Sequence, residues 1–164
     1  MNWTKSGIVL VTATLLSAGG WAGEGPSGHS HGQGHGQSFS AGEPGNPKKP
    51  AKIVQVTMGE SDGKMLFVPM RLEIKKDDQI KFVLRNNGEL EHEFVLASTA
   101  DNLKHAEEMK KHPDMAHEEP NGRQLAAKKT SEIVWKFTKA GEFEYACLIP
   151  GHREAGMTGT IVVK

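Results

Sequence analysis

Cys147, His152 and Met157 follow one another at five-residue intervals near the end of the chain. The stretch Cys147-Leu148-Ile149-Pro150-Gly151-His152-Arg153-Glu154-Ala155-Gly156-Met157 thus delivers a thiol, an imidazole and a thioether from one loop. His92 lies far upstream, after the turn residues Asn86-Asn87-Gly88 and at the start of an apolar run. Two imidazoles, one thiolate and a weak axial thioether make the trigonal site in which copper transfers electrons. Thiolate and thioether favour Cu(I), and imidazole accepts Cu(II). A site between the two preferences lets the ion cycle with little rearrangement. Each residue also has an ordinary reading. A lone Cys packs as a small hydrophobe, His92 can be a turn histidine, and Met157 can belong to the core.

Composition leans the same way. The 164 residues include one Cys against eight His and seven Met. One Cys excludes an intramolecular disulfide and any CxxC redox or zinc motif. Twenty basic and twenty acidic side chains cancel, without the basic excess of a nucleic-acid-binding protein.

These donors need a rigid frame, and the pattern from Lys52 onward has a period of two. Ile53, Gln55 and Thr57 alternate with Val54, Val56 and Met58. Further runs read as strands at Lys64–Val68, Leu72–Ile74, Ile80–Leu84, His92–Ala97, Ile133–Phe137, Phe143–Cys147 and Thr158–Val163. Turn residues separate them: Asp77-Asp78, Asn86-Asn87-Gly88 and Ala140-Gly141. Seven to eight short strands with such spacing predict an all-β protein, an antiparallel sandwich or barrel. Trp135, Phe82, Phe94 and Phe137 read as core.

The connection from Ser98 to Thr130 is too long for a bare loop. Its composition predicts a helix around residues 101–112, with Asp101 as N-cap and Pro113 as stop. His105, Met109 and His112 fall at i, i+4 and i+7 on that helix, and Met115 and His117 follow. Together they could hold a second copper. In the plainer reading Met109 packs onto the sandwich and the histidines are solvated.

The front of the chain differs. Residues 1–22 read as an export signal: Lys5, a short apolar run from Ile8 to Leu16, then Gly20-Trp21-Ala22 at the cleavage site. That run is too short for a stable membrane anchor. Residues 23–50 are rich in Gly, Ser, Gln and Pro, and read as a flexible segment. Eleven of the 19 glycines lie in the first 45 residues. His29, His31 and His35 sit on this tether and could capture metal loosely, or be incidental to a solubilising linker. The folded domain is then residues 51–164.

Over about Lys52–Lys164 the chain resembles the cupredoxins, the type 1 blue-copper family. The motifs that carry the resemblance are Phe67-Val68-Pro69, Leu84-Arg85-Asn86-Asn87-Gly88, His92-Glu93-Phe94 and the Cys147, His152, Met157 spacing. It is most similar to the CopI-type periplasmic copper-tolerance members, which share a His-rich mature N-terminus and a Met/His-bearing insertion. The resemblance implies a Greek-key β-sandwich with His92, Cys147, His152 and Met157 on one copper. One position departs: many members carry Asn after the first His ligand, and this chain has Glu93.

The expected function is therefore copper tolerance or handling in the periplasm, with copper ions as cargo and cofactor and a periplasmic redox or copper-handling protein as partner. The alternative is a diffusible electron carrier serving a cytochrome or oxidase. An enzyme is not expected, because four protein donors leave no open coordination position for a substrate.

Overall fold

The computed structural model describes residues 38–112 and 119–164. Its strands follow the two-residue period. In chain order they are β1 Glu43–Pro44, β2 Lys52–Ser61, β3 Lys64–Val68, β4 Arg71–Ile74 and β5 Gln79–Asn86. Then come β6 His92–Ala97, helix α1 Thr99–Lys111, β7 Gly122–Leu125, β8 Thr130–Lys136, β9 Gly141–Ala146 and β10 Thr158–Val163. One sheet has the order β1-β8-β5-β2-β3, the other β4-β10-β9-β6-β7. The two strands beyond the expected eight are β1 and β7.

Alternation places the core between the sheets. Ile80, Phe82 and Leu84 of β5 face Ile133, Trp135 and the following Phe137, and all are buried. From the other sheet come Phe94, Phe143, Tyr145 and Ile161. Phe94 stacks on Tyr145 with ring centroids 5.3 Å apart. Gly159 pairs with Tyr145 across β9 and β10, and any Cβ there would collide with the Tyr145 ring. The ring therefore lies flat over bare backbone.

Not all neighbours are antiparallel, as the turn pattern predicted. β2 runs parallel to β5, and β4 parallel to β10. A parallel neighbour requires a crossover. Here the chain leaves β2 through the β2–β3 hairpin, joins the opposite sheet as β4, and returns as β5.

β6 is buried along its whole length, because α1 covers its outer side. Ala106 and Met109 pack against Val95, Ala146 and Leu148. The helix begins earlier than predicted. Its N-cap is Ser98, whose hydroxyl accepts the Asp101 amide at 3.1 Å and donates to the Asp101 carboxylate at 2.8 Å. Asp101, expected as the cap, is instead the third helical residue, and the Ser98 backbone amide donates to the Ser40 hydroxyl. Lys110 and Lys111 occupy the last turn, where their charge suits the helix dipole.

Residues 38–50 also differ from the flexible segment expected over 23–50. Gly45 donates to the Val134 carbonyl at 2.8 Å, and β1 pairs with β8. Ala41 is fully buried, and Phe39 meets the Trp135 ring edge-on at 5.2 Å. The Trp135 indole N–H donates to the Ala41 carbonyl. Gln79 then pins residues 46–50 through bonds to the backbone of Asn46, Lys49 and Pro50. Two apolar side chains, one indole donor, the β1–β8 pairing and the Gln79 bonds order a stretch whose polarity suggested otherwise.

Candidate metal centre

β6 pairs with β7 from its first residue, which faces Leu125, and with β9 from Val95 onward, so its first residue starts a strand held on one edge at once and on both three residues later. That residue is His92, fully buried. The turn before it is tied by Asn86, which is also buried. Its amide donates to the carbonyls of Leu90 (2.8 Å) and Leu125 (2.9 Å), and its oxygen accepts the Gly88 amide (2.9 Å). What reads in the sequence as a turn residue is the hub that delivers His92.

Cys147 directly follows β9, and Met157 directly precedes β10. The Cys147 amide donates to the Met157 carbonyl at 3.1 Å, and the Met157 amide to the His152 carbonyl at 3.1 Å. A turn bond from His152 to Ile149 tightens the loop (3.0 Å). The loop is thus closed on itself by backbone bonds, with both ends fixed in one antiparallel pair. Arg153 anchors its far side through a two-pronged ion pair to Glu144.

These elements bring His92, Cys147 and His152 together: one donor atom from each lies within 4.8 Å of the others. Cys147 Sγ is 3.3 Å from His152 Nδ1. His92 Nδ1 is buried and has no hydrogen-bond partner, while its Nε2 lies 2.6 Å from Glu60 Oε1. Met157 is fully buried beside them in the chain, its backbone bonded to both Cys147 and His152.

The electrostatics fit a metal. Burial pushes the Cys147 thiol up to about 12, although the Glu93 and Ile149 amides oppose it. Such a thiol ionises at neutral pH only when a cation replaces its proton. Burial, and then the neighbouring His92, hold His152 below the usual imidazole range, so it stands neutral and ready to donate a lone pair. The Glu93 amide donates to Cys147 Sγ at 3.3 Å. The backbone therefore supports the sulfur even though the residue is Glu rather than Asn. A buried nitrogen with no partner, a thiol that needs a counter-charge and a neutral imidazole form a soft, preformed donor set.

Among the described residues this is the one such grouping of His, Cys, Asp or Glu side chains. The other predicted ligands lie elsewhere. Met109 is in the helix–sheet packing. His105 is half-buried in a cavity of about 370 Å³ beside Asn102 and Asn121. His112 is exposed at the end of α1. Met115, His117, His29, His31 and His35 fall outside the described residues. Glu60 was not singled out by sequence reasoning. It lies 32 residues before His92 on another strand, and no local motif marks it.

A profile of the family described as copper binding proteins, plastocyanin/azurin family, matches residues 54–164, from β2 to the last residue. The chain belongs to this family, the cupredoxins. Copper is the cofactor of this cupredoxin, and His92, Cys147 and His152 lie close together as its candidate site. The copper-resistant cuproprotein CopI of Rubrivivax gelatinosus is 44% identical over 144 residues, covering 84% of this chain and 86% of that protein. The protein of the same name from Pseudomonas aeruginosa is 32% identical over 159 residues, covering 79% and 84%. Among solved structures, auracyanin B superposes with a TM-score of 0.60 at 21% identity, covering 76% of this chain and 96% of that one. That likeness shows the shared sandwich.

Proposed function

We propose that this cupredoxin works in copper tolerance in the periplasm. It would hold one redox-active copper with His92, Cys147 and His152, the Met157 thioether serving as the fourth donor. The observation that carries the reading is the buried, preformed donor set, closed by backbone bonds. Two further features support it: similarity to proteins named for copper resistance, and the export signal read over residues 1–22. Bound copper supplies a one-electron Cu(II)/Cu(I) couple. The protein's part is to exclude water from Cys147, hold the His152 imidazole neutral, and keep geometry constant across the couple. With four protein donors, no position is open for a substrate, so this is a binding and redox role rather than catalysis.

The test begins with the full chain and Cu(II). An intense visible thiolate-to-copper band is expected, and Cys147→Ser should abolish it. Colour surviving in the Ser variant would refute the site. Deleting the gene should raise copper sensitivity, and normal growth of the deletion strain in copper would refute the tolerance role. A second reading, a diffusible electron carrier, draws on the half-buried position of His152 and on exposed Leu90, two residues before His92. Fast reversible exchange with a periplasmic cytochrome, in a strain whose copper tolerance is unaffected, would favour it.

A further inference from the structure

The carboxylate of Glu60 occupies a specific place at the copper end. It projects from the end of β2, in the sheet opposite to that of His92. Its Oε2 accepts the Glu89 amide at 2.8 Å, and its Oε1 accepts the Leu90 amide at 3.2 Å and lies 2.6 Å from His92 Nε2. The fit is close. A Cβ at Gly88 would fall 2.5 Å from Glu60 Oε2, so a larger residue there would displace the carboxylate from this position. The side chain is 26% exposed, and His92 is not exposed at all.

We propose that Glu60 is a positioning residue of the copper site, fixing His92 in the tautomer that offers Nδ1 to the metal and favouring Cu(II) over Cu(I). The proposal rests on the copper reading above. An ionised carboxylate can only accept hydrogen bonds, so Nε2 must carry the imidazole proton. Nδ1 of the neutral ring is then a bare lone pair. It is also the nitrogen that is buried without a partner near Cys147 and His152. A carboxylate behind a ligating histidine raises the donor strength of the ring and orients it. Its negative charge stabilises the more highly charged ion. The same carboxylate ties β2 of one sheet to β6 of the other, so ring orientation is locked to the frame.

A plainer role, stapling the loop before His92 through the two amides, would alter stability alone. Two full-length variants separate the possibilities. Glu60→Gln keeps an acceptor for Nε2–H and removes the charge. Its reduction potential should rise by the equivalent of about a tenfold change in the Cu(II)/Cu(I) ratio, ~59 mV. Glu60→Ala removes the acceptor as well. Imidazole ¹⁵N NMR of the metal-free protein should then show His92 losing its single Nε2–H tautomer, and Cu(II) affinity should fall about 10–100-fold. An unchanged potential in Glu60→Gln would overturn the proposal, whatever happens to stability, as would a wild-type His92 protonated on Nδ1. The NMR measurement needs no copper. A wild type without the thiolate-to-copper band would instead refute the copper reading.

Discussion

Glu93 illustrates what a single side chain does beside a metal ligand. Its backbone supports Cys147, but the residue is 1% exposed and its side chain lies within the protein. One oxygen has no partner, and the Leu148 amide is the group that favours the ionised form. Burial pushes this carboxyl up to about 7. In the metal-free protein the folded state therefore holds a proton that the unfolded chain has already released. Stability from this group is full below about 4.5 and is lost as pH rises toward 7, by on the order of 3 kcal/mol. Urea unfolding of the metal-free chain, compared with Glu93→Gln across pH 4.5–7.5, should show the wild type falling relative to the variant and then levelling. Parallel profiles would mean that the carboxyl reaches water. The donors at this scale were legible because spacing in one loop is a local property. Asn86 and Glu60 were not, because their roles depend on which distant backbone groups and which ring the fold brings to them.

At the scale of elements, α1 decides between two readings of one methionine. His105, Met109 and His112 share a helical stripe, and a stripe serves equally as ligand face or packing face. The structure turns Met109 into the cluster with Val95, Ala146 and Leu148. Met109→Ala should therefore cost about 2–5 kcal/mol in chemical denaturation and leave the number of coppers bound per chain unchanged. Loss of one equivalent of copper with unaltered stability would restore the ligand reading. The eight alternating strands were visible as period-two runs. β7 was not: Gly122-Arg123-Gln124-Leu125 has no alternation, and it is a strand because β6 offers an unpaired edge. Its pairing of Leu125 with His92 is one more restraint on that ligand.

At the scale of the whole molecule, the sandwich extends beyond the residues whose pattern announces it. The family profile begins at residue 54, yet residues 38–50 seal the β8 edge and the Trp135 end of the core. A chain starting at Ala51 should unfold at clearly lower denaturant concentration than one starting at Ser38. Equal midpoints would show that the segment adds nothing. Low apolar content hid this contribution: Phe39 and Ala41 are too few to form a pattern, and their value lies in where Trp135 waits for them. No helix among the described residues is long and apolar enough to cross a membrane.

The bond from the Trp135 indole to the Ala41 carbonyl has an optical consequence. The other two tryptophans, Trp3 and Trp21, lie in the stretch read as an export signal. A chain lacking residues 1–22 carries Trp135 as its sole indole fluorophore. Its emission colour then reports on a single place, the seat of the N-terminal segment on the sandwich. Blue emission marks the segment docked, and a red shift marks it released, so the cupredoxin carries its own dye for following that event.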